Sequence, residues 1–310
     1  MTTTADRIEA SLAGSPARHR RERRIRRIFF AAAATSVLIS VAIILSLVGE
    51  AWTFISNVGV SKLVDIGWFP RRGFYDIRTL LVGTFLVAAI AMLVAGPLGM
   101  GTAVYLSEYA SPRTRRFLKP AVEMLAGIPS VVLGYFALTF ISPDVLRPIF
   151  GERLDGFNML AAGLGVGILT IPLVASVTED SLRAVPLALR EASYGLGATR
   201  MSTSVRVVVP AAVSGIVASM IIAFSRAIGE TMVVAIAAGA TGGSLFTTDP
   251  LGGGQTMTAA MASLAIGSDR VRGDDYAFQS LFFLGLVLFV MTLVLNIVAE
   301  RFVRRVRRRY

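Results

Sequence analysis

Six stretches of this chain are apolar over about 20 residues or more: Ile28 to Val48, then about Leu80–Leu106, Ala121–Ile141, Met159–Val177, Ala211–Ala238 and Ser280–Val298. A helix of roughly 20 apolar residues crosses ~30 Å of hydrocarbon. Inside that hydrocarbon every backbone polar group needs an internal partner, so runs of this length fold as spanning helices. The rest of the composition agrees. The chain is 54% hydrophobic and 16% charged over 310 residues, its mean hydropathy is +0.67, and soluble domains carry about 25% charged residues. The sequence therefore predicts an all-α membrane protein with six transmembrane helices.

The formal charge of +11 at first suggests a nucleic-acid binder. The hydropathy argues against that, and no nucleic-acid partner is expected. The placement of the charges has a better explanation. Nearly all the cations are arginine, lysine occurring only at Lys62 and Lys119. With the N-terminus inside, 22 Lys and Arg fall on the cytoplasmic side and 8 outside. This is the positive-inside pattern. It predicts a multi-pass protein of the bacterial plasma membrane with both termini cytoplasmic. Residues 1–27 would form a basic arm on anionic headgroups, 28–300 the membrane domain, and 301–310 a basic tail. The Arg-rich arm before the first run resembles a signal-peptide start. The apolar run is too long for one, however, and no small-x-small cleavage site follows. Cysteine is absent and His19 is the sole histidine. Disulfides, thiolate metal sites and Cys nucleophiles are excluded, and neither a metal site nor a catalytic residue is expected.

The connections carry further expectations. Residues 50–78 form an amphipathic link in which Trp52, Trp68, Phe69 and Tyr75 suit an interfacial aromatic belt. Pro129, followed by Ser130, sits in the middle of the third run. It predicts a mid-span break that either lines a pathway or is an ordinary kink. Residues 142–158 read as an external connection. Gly163, Gly165 and Gly167 allow close helix packing in the fourth span. Residues 239–279 read as a long external loop. Its Gly252-Gly253-Gly254-Gln255-Thr256 lacks the Gly-Lys-Ser/Thr ending and the preceding strand of a phosphate cradle. A flexible loop or a contact for an external partner is the better reading.

Two places stand out chemically. Residues 191–210, EASYGLGATRMSTSVRVVVP, are too polar to span a membrane. They read as a helix, a break at Gly195 and Gly197, a restart over Thr199 to Ser204 and a stop at Pro210. Upstream, Leu182, Val185, Leu189, Ala192 and Leu196 form one apolar stripe, with Arg183, Arg190 and Glu191 off it. Such a charged end suits docking into another protein; a surface helix tucked under the bundle is the blander alternative. The second place is SRAIGETM in the fifth span. Arg226 and Glu230 are four residues apart, face one side of a helix and can pair. Ser225 and Thr231 add hydroxyls. A lone arginine at bilayer centre costs ~2.5–3.5 kcal/mol on insertion scales, so these residues either border an anion route or form an ion pair that locks two helices.

The 191–210 stretch carries a resemblance. Glu191-Ala192-Ser193, Gly197 and Val207-x-Val209-Pro210 are similar to the EAA loop of bacterial ABC-importer permeases, with Ser193 in place of the second alanine and Val207 and Val209 in place of Ile and Leu. Together with GIPSVVLGYFA (127–137), TEDSLRAVPLALREASYGLGATR (178–200) and SRAIGETM (225–232), the chain resembles the phosphate-specific importer permeases, in the PstC branch more than the PstA branch. The resemblance implies a type I ABC-importer permease fold with a coupling segment at about 179–210. Arg190, Glu191, Ala192, Gly197 and Pro210 would engage an ATPase. Arg226, Glu230, Ser225, Thr231, Pro129 and Ser130 would border the phosphate pathway. Implied partners are a PstA-like second permease, PstB-like ATPases that bind the ATP and magnesium, and a PstS-like phosphate-binding protein outside. This chain would bind no cofactor and would not be an enzyme by itself. The rival readings are a permease for sulfate or molybdate, an ion-coupled secondary transporter, and a membrane sensor or scaffold.

Overall fold

The structure is a computed structural model that describes residues 16–239, 243–266 and 276–307. Parts of the basic arm, of the 239–279 connection and of the C-terminal tail lie outside the described residues. The chain divides into two units, Met1–Glu50 and Ala51–Tyr310. The described part of the first unit is a single helix, the opening of α1 (Pro16–Val58). Its side chains from Arg20 onward are exposed or half-exposed. An apolar helix without a buried face is suited to lipid on all sides. The expected first span is therefore present, and it continues past Val48 to Val58.

The second unit takes in the last turns of α1, where Ala51, Phe54 and Val58 are buried. A small antiparallel sheet follows, made of β1 (Gly67–Phe69), β2 (Phe74–Tyr75) and β3 (Ser244–Leu245), with β1 in the centre. The pairs are Trp68 with Tyr75 and Trp68 with Ser244. Trp52 is exposed as a belt residue would be. Trp68, expected beside it in the belt, is instead buried against Phe54 and Tyr75, because pairing in the central strand fixes it over the aromatic cluster.

The long spans are α2 (Ile77–Val104, helical on through Tyr109), α4 (Ser130–Phe136, helical on to Arg153), α5 (Met159–Arg183), α8 (Val213–Ile228) and α11 (Gln279–Arg307). Between α2 and α4 lies α3 (Pro112–Leu125), a strongly amphipathic helix capped by Ser111, whose hydroxyl accepts from the Thr114 amide. This corrects the expected third span. Residues 121–125 end the surface helix, and Pro129 is the N-cap of α4 rather than a mid-span kink, with Ser130 as its first residue. Proline suits that position, where no amide hydrogen bond is lost. The external connection correspondingly shrinks, since α4 stays helical to Phe150 and ends in a 3-10 turn over Gly151–Arg153.

Helices α2 and α5 run side by side in the same direction. A side chain at Gly163 would meet Ile90 Cβ at 2.6 Å, and one at Gly167 would meet the Ala91 carbonyl at 3.1 Å. The same register continues to Gly99, opposite Ile171 and Val174. Small residues four apart let the backbones close up where lipid supplies no hydrophobic drive. Gly165 faces away, towards Val233 and Ala137.

The 239–279 connection is not a simple loop. Its described residues include α10 (Met257–Ile266), and residues 254–260 are buried. The Met257 amide donates to Thr84 Oγ1 at 3.1 Å, which ties this helix to α2. A Cβ on Gly83 would stand 2.3 Å from the Gln255 carbonyl oxygen. Gly83→Ala is therefore expected to cost ~1–3 kcal/mol, the range of overpacking substitutions. A lowered thermal midpoint of the detergent-purified chain checks it.

Candidate functional site

Residues 184–212 form an elbow at the end of the bundle where α2 and α5 finish. Pro186 starts α6 (Leu187–Gly195). Gly197 turns the chain with φ +78, a conformation that glycine adopts without Cβ strain. Thr199 caps α7 (Arg200–Thr203), which stays helical to Ala211. The Ser193 and Thr203 hydroxyls lie 2.8 Å apart and tie the two arms together. Pro210 does not stop this helix: the bend falls at Ala212, and α8 then departs at 70°.

The apolar stripe read from the sequence divides at Pro186. Leu182 and Val185 are buried at the end of α5, whereas Leu189, Ala192 and Leu196 on α6 are exposed. Arg190 was expected to project towards a partner; it turns inward instead. Its guanidinium donates to the Val185 carbonyl at 2.6 Å, the Leu182 carbonyl at 2.8 Å and Glu108 Oε1 at 3.0 Å. The Glu108 side chain is only 4% exposed and that of Arg190 13%. The pair thus pins the start of the elbow to the ends of both α2 and α5. Glu191 and Ala192 remain exposed. Around them Leu187, Tyr194, Leu196 (89% exposed) and Met201 make an uncovered apolar surface.

A second clamp lies beside the first. The Glu179 side chain on α5 is fully buried and pairs with Arg115 and Lys119 of α3, at 2.5 Å and 2.8 Å. Lys119 also reaches Asp180 at 3.1 Å. The hydrogen bond to Glu179 holds the Lys119 amine above the usual lysine range, against the opposing effect of burial. Neither Glu108 nor Glu179 stood out in the sequence. Each lies near the end of a long apolar run, where a carboxylate reads as an interfacial charge.

In the fifth span Ser225, Arg226, Glu230 and Thr231 gather at a helix break. Helix α8 ends at Ile228, Gly229 is its C-cap, and a short helix α9 (Met232–Val234) restarts after Thr231. Because the helix stops, Glu230 leaves the face that carries Arg226. Among the described residues no ion pair joins them, contrary to the four-residue spacing. Arg226 is exposed, and Glu230 Oε1 accepts from the Val233 amide at 3.4 Å, at the start of α9. The Glu230 carbonyl accepts from Thr258 of α10 at 2.8 Å. Ser225 donates to Asn296 of α11 at 3.3 Å. Pro129 and Ser130 stand apart from this group. They lie one turn before Gly134, where a Cβ would meet Val233 Cα at 3.0 Å. Three residues before Thr258, Gln255 is buried, and neither its Nε2 nor its Oε1 has a hydrogen-bond partner among the described residues. Orphaned polar groups are rare inside proteins.

A discontinuous helix inside a membrane protein exposes helix-end dipoles and unpaired backbone groups, the usual construction of a transport site. An elbow with an uncovered apolar face, fixed at its root by a buried ion pair, suits a mechanical contact. The comparisons agree with this class. The family of the binding-protein-dependent transport system inner membrane component matches residues 95–309, and the chain belongs to that family. It is 33% identical over 296 residues to the phosphate transport system permease protein PstC of Mesorhizobium japonicum, covering 89% of this chain and 88% of the relative. It is 34% identical over 276 residues to PstC 1 of Mycobacterium tuberculosis, covering 83% and 80%. Among solved structures, a bacterial ABC transporter involved in the import of alginate shares the fold, with a TM-score of 0.62 at 18% identity over 92% of this chain and 99% of that one. The MetNI methionine ABC transporter gives 0.53 at 21% identity over 74% and 94%. The importer-permease fold is thus shown, with five helices long and apolar enough to span a membrane and a sixth where the bent α7–α8 pair counts as one, and the protein is a multi-pass membrane component.

Proposed function

We propose that this chain is the PstC-type permease subunit of an ATP-driven importer of inorganic phosphate. It forms half of a translocation pathway with a PstA-like partner and receives phosphate from a PstS-like binding protein outside. PstB-like ATPases, which bind the ATP and magnesium, seat against the exposed face of α6 and α7 around Glu191, Ala192 and Gly197. The observation that carries the coupling role is the elbow itself: an uncovered apolar surface held at its root by Arg190 and Glu108. The phosphate assignment rests on the PstC relatives. In this reading the arm, the elbow and the tail face the cytoplasm, which the excess of basic residues on that side supports. ATP binding closes the ATPases, the elbows move with them, and the spans switch the cavity between its two openings. Only a differential affinity of ATP for the closed state drives this.

Within the membrane, Arg226 offers its cation to the oxyanion, and Glu230 sets the local charge while capping α9. Ser225 and Thr231 line the same break, and Pro129 and Ser130 belong to the route only at the start of α4, one turn before the Gly134 contact with α9. Arg226→Gln and Glu230→Gln are each expected to lower uptake about tenfold, the weight of one charge-assisted contact. Full uptake in both variants at normal membrane levels overturns the pathway role.

The function is tested in proteoliposomes with partner subunits added one at a time. Radiolabelled phosphate is expected to enter only when the binding protein, both permeases, the ATPase and ATP are all present. Competition by sulfate or molybdate in place of phosphate supports the oxyanion alternative. Uptake by this chain alone along a proton or sodium gradient overturns the reading.

A further inference from the structure

The basic residues of α3 do more than bias topology. Arg115, Arg116 and Lys119 line an open cavity of about 530 Å³ to which Arg183, Ser107 and Glu123 also contribute. Two of its four cations are already committed, since Arg115 and Lys119 pair with Glu179 and Asp180. Arg116 and Arg183 are exposed and have no ion-pair or hydrogen-bond partner among the described residues. The cavity thus holds two free guanidinium groups against a single uncommitted carboxylate, that of Glu123.

We propose that this cavity binds a phosphate-bearing anion through Arg116 and Arg183. Guanidinium forks match the spacing of phosphate oxygens and hold them bidentately. The committed cluster behind them, two cations against Glu179 and Asp180, is close to neutral, so the net positive charge of the cavity rests on Arg116 and Arg183 and is not spent on an internal partner. Two sources carry this chemistry: free inorganic phosphate and the headgroup of an anionic lipid. The lipid source gains from α3 itself, which is strongly amphipathic and exposes Phe117 and Met124 next to its cations. A helix of that kind lies at a membrane interface, and basic pockets on the cytoplasmic side take lipid headgroups. The site also touches the elbow. Ser107 donates to Glu108 Oε1 at 2.8 Å, the same oxygen that receives Arg190. An occupant beside Ser107 therefore sits two side chains away from the coupling surface. The proposal is independent of the transport route at Arg226 and stands or falls apart from it.

The test uses the full chain assembled with its partner subunits in nanodiscs, without nucleotide, and compares variants within one Arg226→Gln background so that any binding in the route is common to both. One arm titrates orthophosphate into discs of pure phosphatidylcholine by calorimetry. The other measures phosphatidylglycerol retained by the complex in native mass spectrometry. The compared variant is Arg116→Gln with Arg183→Gln. Both side chains are exposed, so the melting transition is expected to persist; if it is lost, Arg116→Gln alone serves the same comparison. A tenfold or greater loss of orthophosphate affinity assigns the site to free phosphate. A tenfold loss of retained phosphatidylglycerol assigns it to a lipid headgroup. Arg116→Lys with Arg183→Lys is expected to recover part of either signal. Unchanged phosphate affinity together with unchanged lipid retention overturns the proposal.

Discussion

Arg190→Ala is expected to abolish coupled uptake while the chain still inserts. The substitution removes three hydrogen bonds at once and leaves the buried Glu108 carboxylate with the neutral Ser107 hydroxyl as its donor and no cation, and the Val185 carbonyl without its side-chain donor. Breaking a buried pair from one side costs ~3–5 kcal/mol, because the remaining charge stays buried without compensation. That energy is concentrated where α6 meets α5, so the elbow loses its fixed angle to the bundle. The expected readout is a fall in uptake of about 100-fold, the factor that ~2.7 kcal/mol represents, with ATP hydrolysis by the assembled complex persisting. Arg190→Lys retains the charge but not the planar fork that reaches all three acceptors, and falls in between. Uptake within twofold of the parent in Arg190→Ala contradicts the anchoring role.

Glu179→Ala is expected to destabilise this end of the bundle. Its carboxylate is fully buried and receives both Arg115 and Lys119. Without it Arg115 loses its partner and Lys119 keeps only the exposed Asp180; both cations are partly exposed, so the loss is expected at or below the low end of the ~3–5 kcal/mol range for breaking a buried pair. Thermal unfolding of the purified chain measures it. A compensated variant, Glu179→Leu with Arg115→Leu and Lys119→Met, is expected to recover most of the loss, since replacing the whole cluster strands no charge. The pH dependence follows from Lys119. Its folded pKa is raised above 10.5, chiefly by the hydrogen bond to Glu179. The contribution is therefore fully present below the unfolded value, about 10.4, and is lost only as pH rises through the folded one. The stability difference between the parent and Lys119→Met is expected to stay constant from pH 6 to 9.

The spans were legible because hydropathy over 20 residues depends on little else. What the sequence hid were the places where a local rule meets a tertiary contact. The third apolar run contained the end of one helix and the start of another; Pro129 marked the boundary, and its apolar neighbours masked it. The spacing of Arg226 and Glu230 implies a pair only if the helix continues, and Gly229 ends it. The inward turn of Arg190 depends on carbonyls at Leu182 and Val185, which become acceptors only because α5 ends there. Helix α10 is too short to register as a span, and its burial depends on glycine contacts far away in sequence. The elbow was legible in outline from its glycines and its Thr199 cap, although its second arm runs one residue beyond Pro210.

The close glycine register between α2 and α5 has a mechanical consequence. Packed at backbone contact along its length, this pair behaves as one stiff strut. A helix of 25 residues such as α5 extends about 37 Å at ~1.5 Å per residue. Force applied at its foot, where Arg190 grips both members, reaches the sheet end as rotation instead of being absorbed by sliding. Any compliant joint is then expected elsewhere, and the interrupted α8–α9 segment, whose helix breaks between Ile228 and Met232, is the place to look for it.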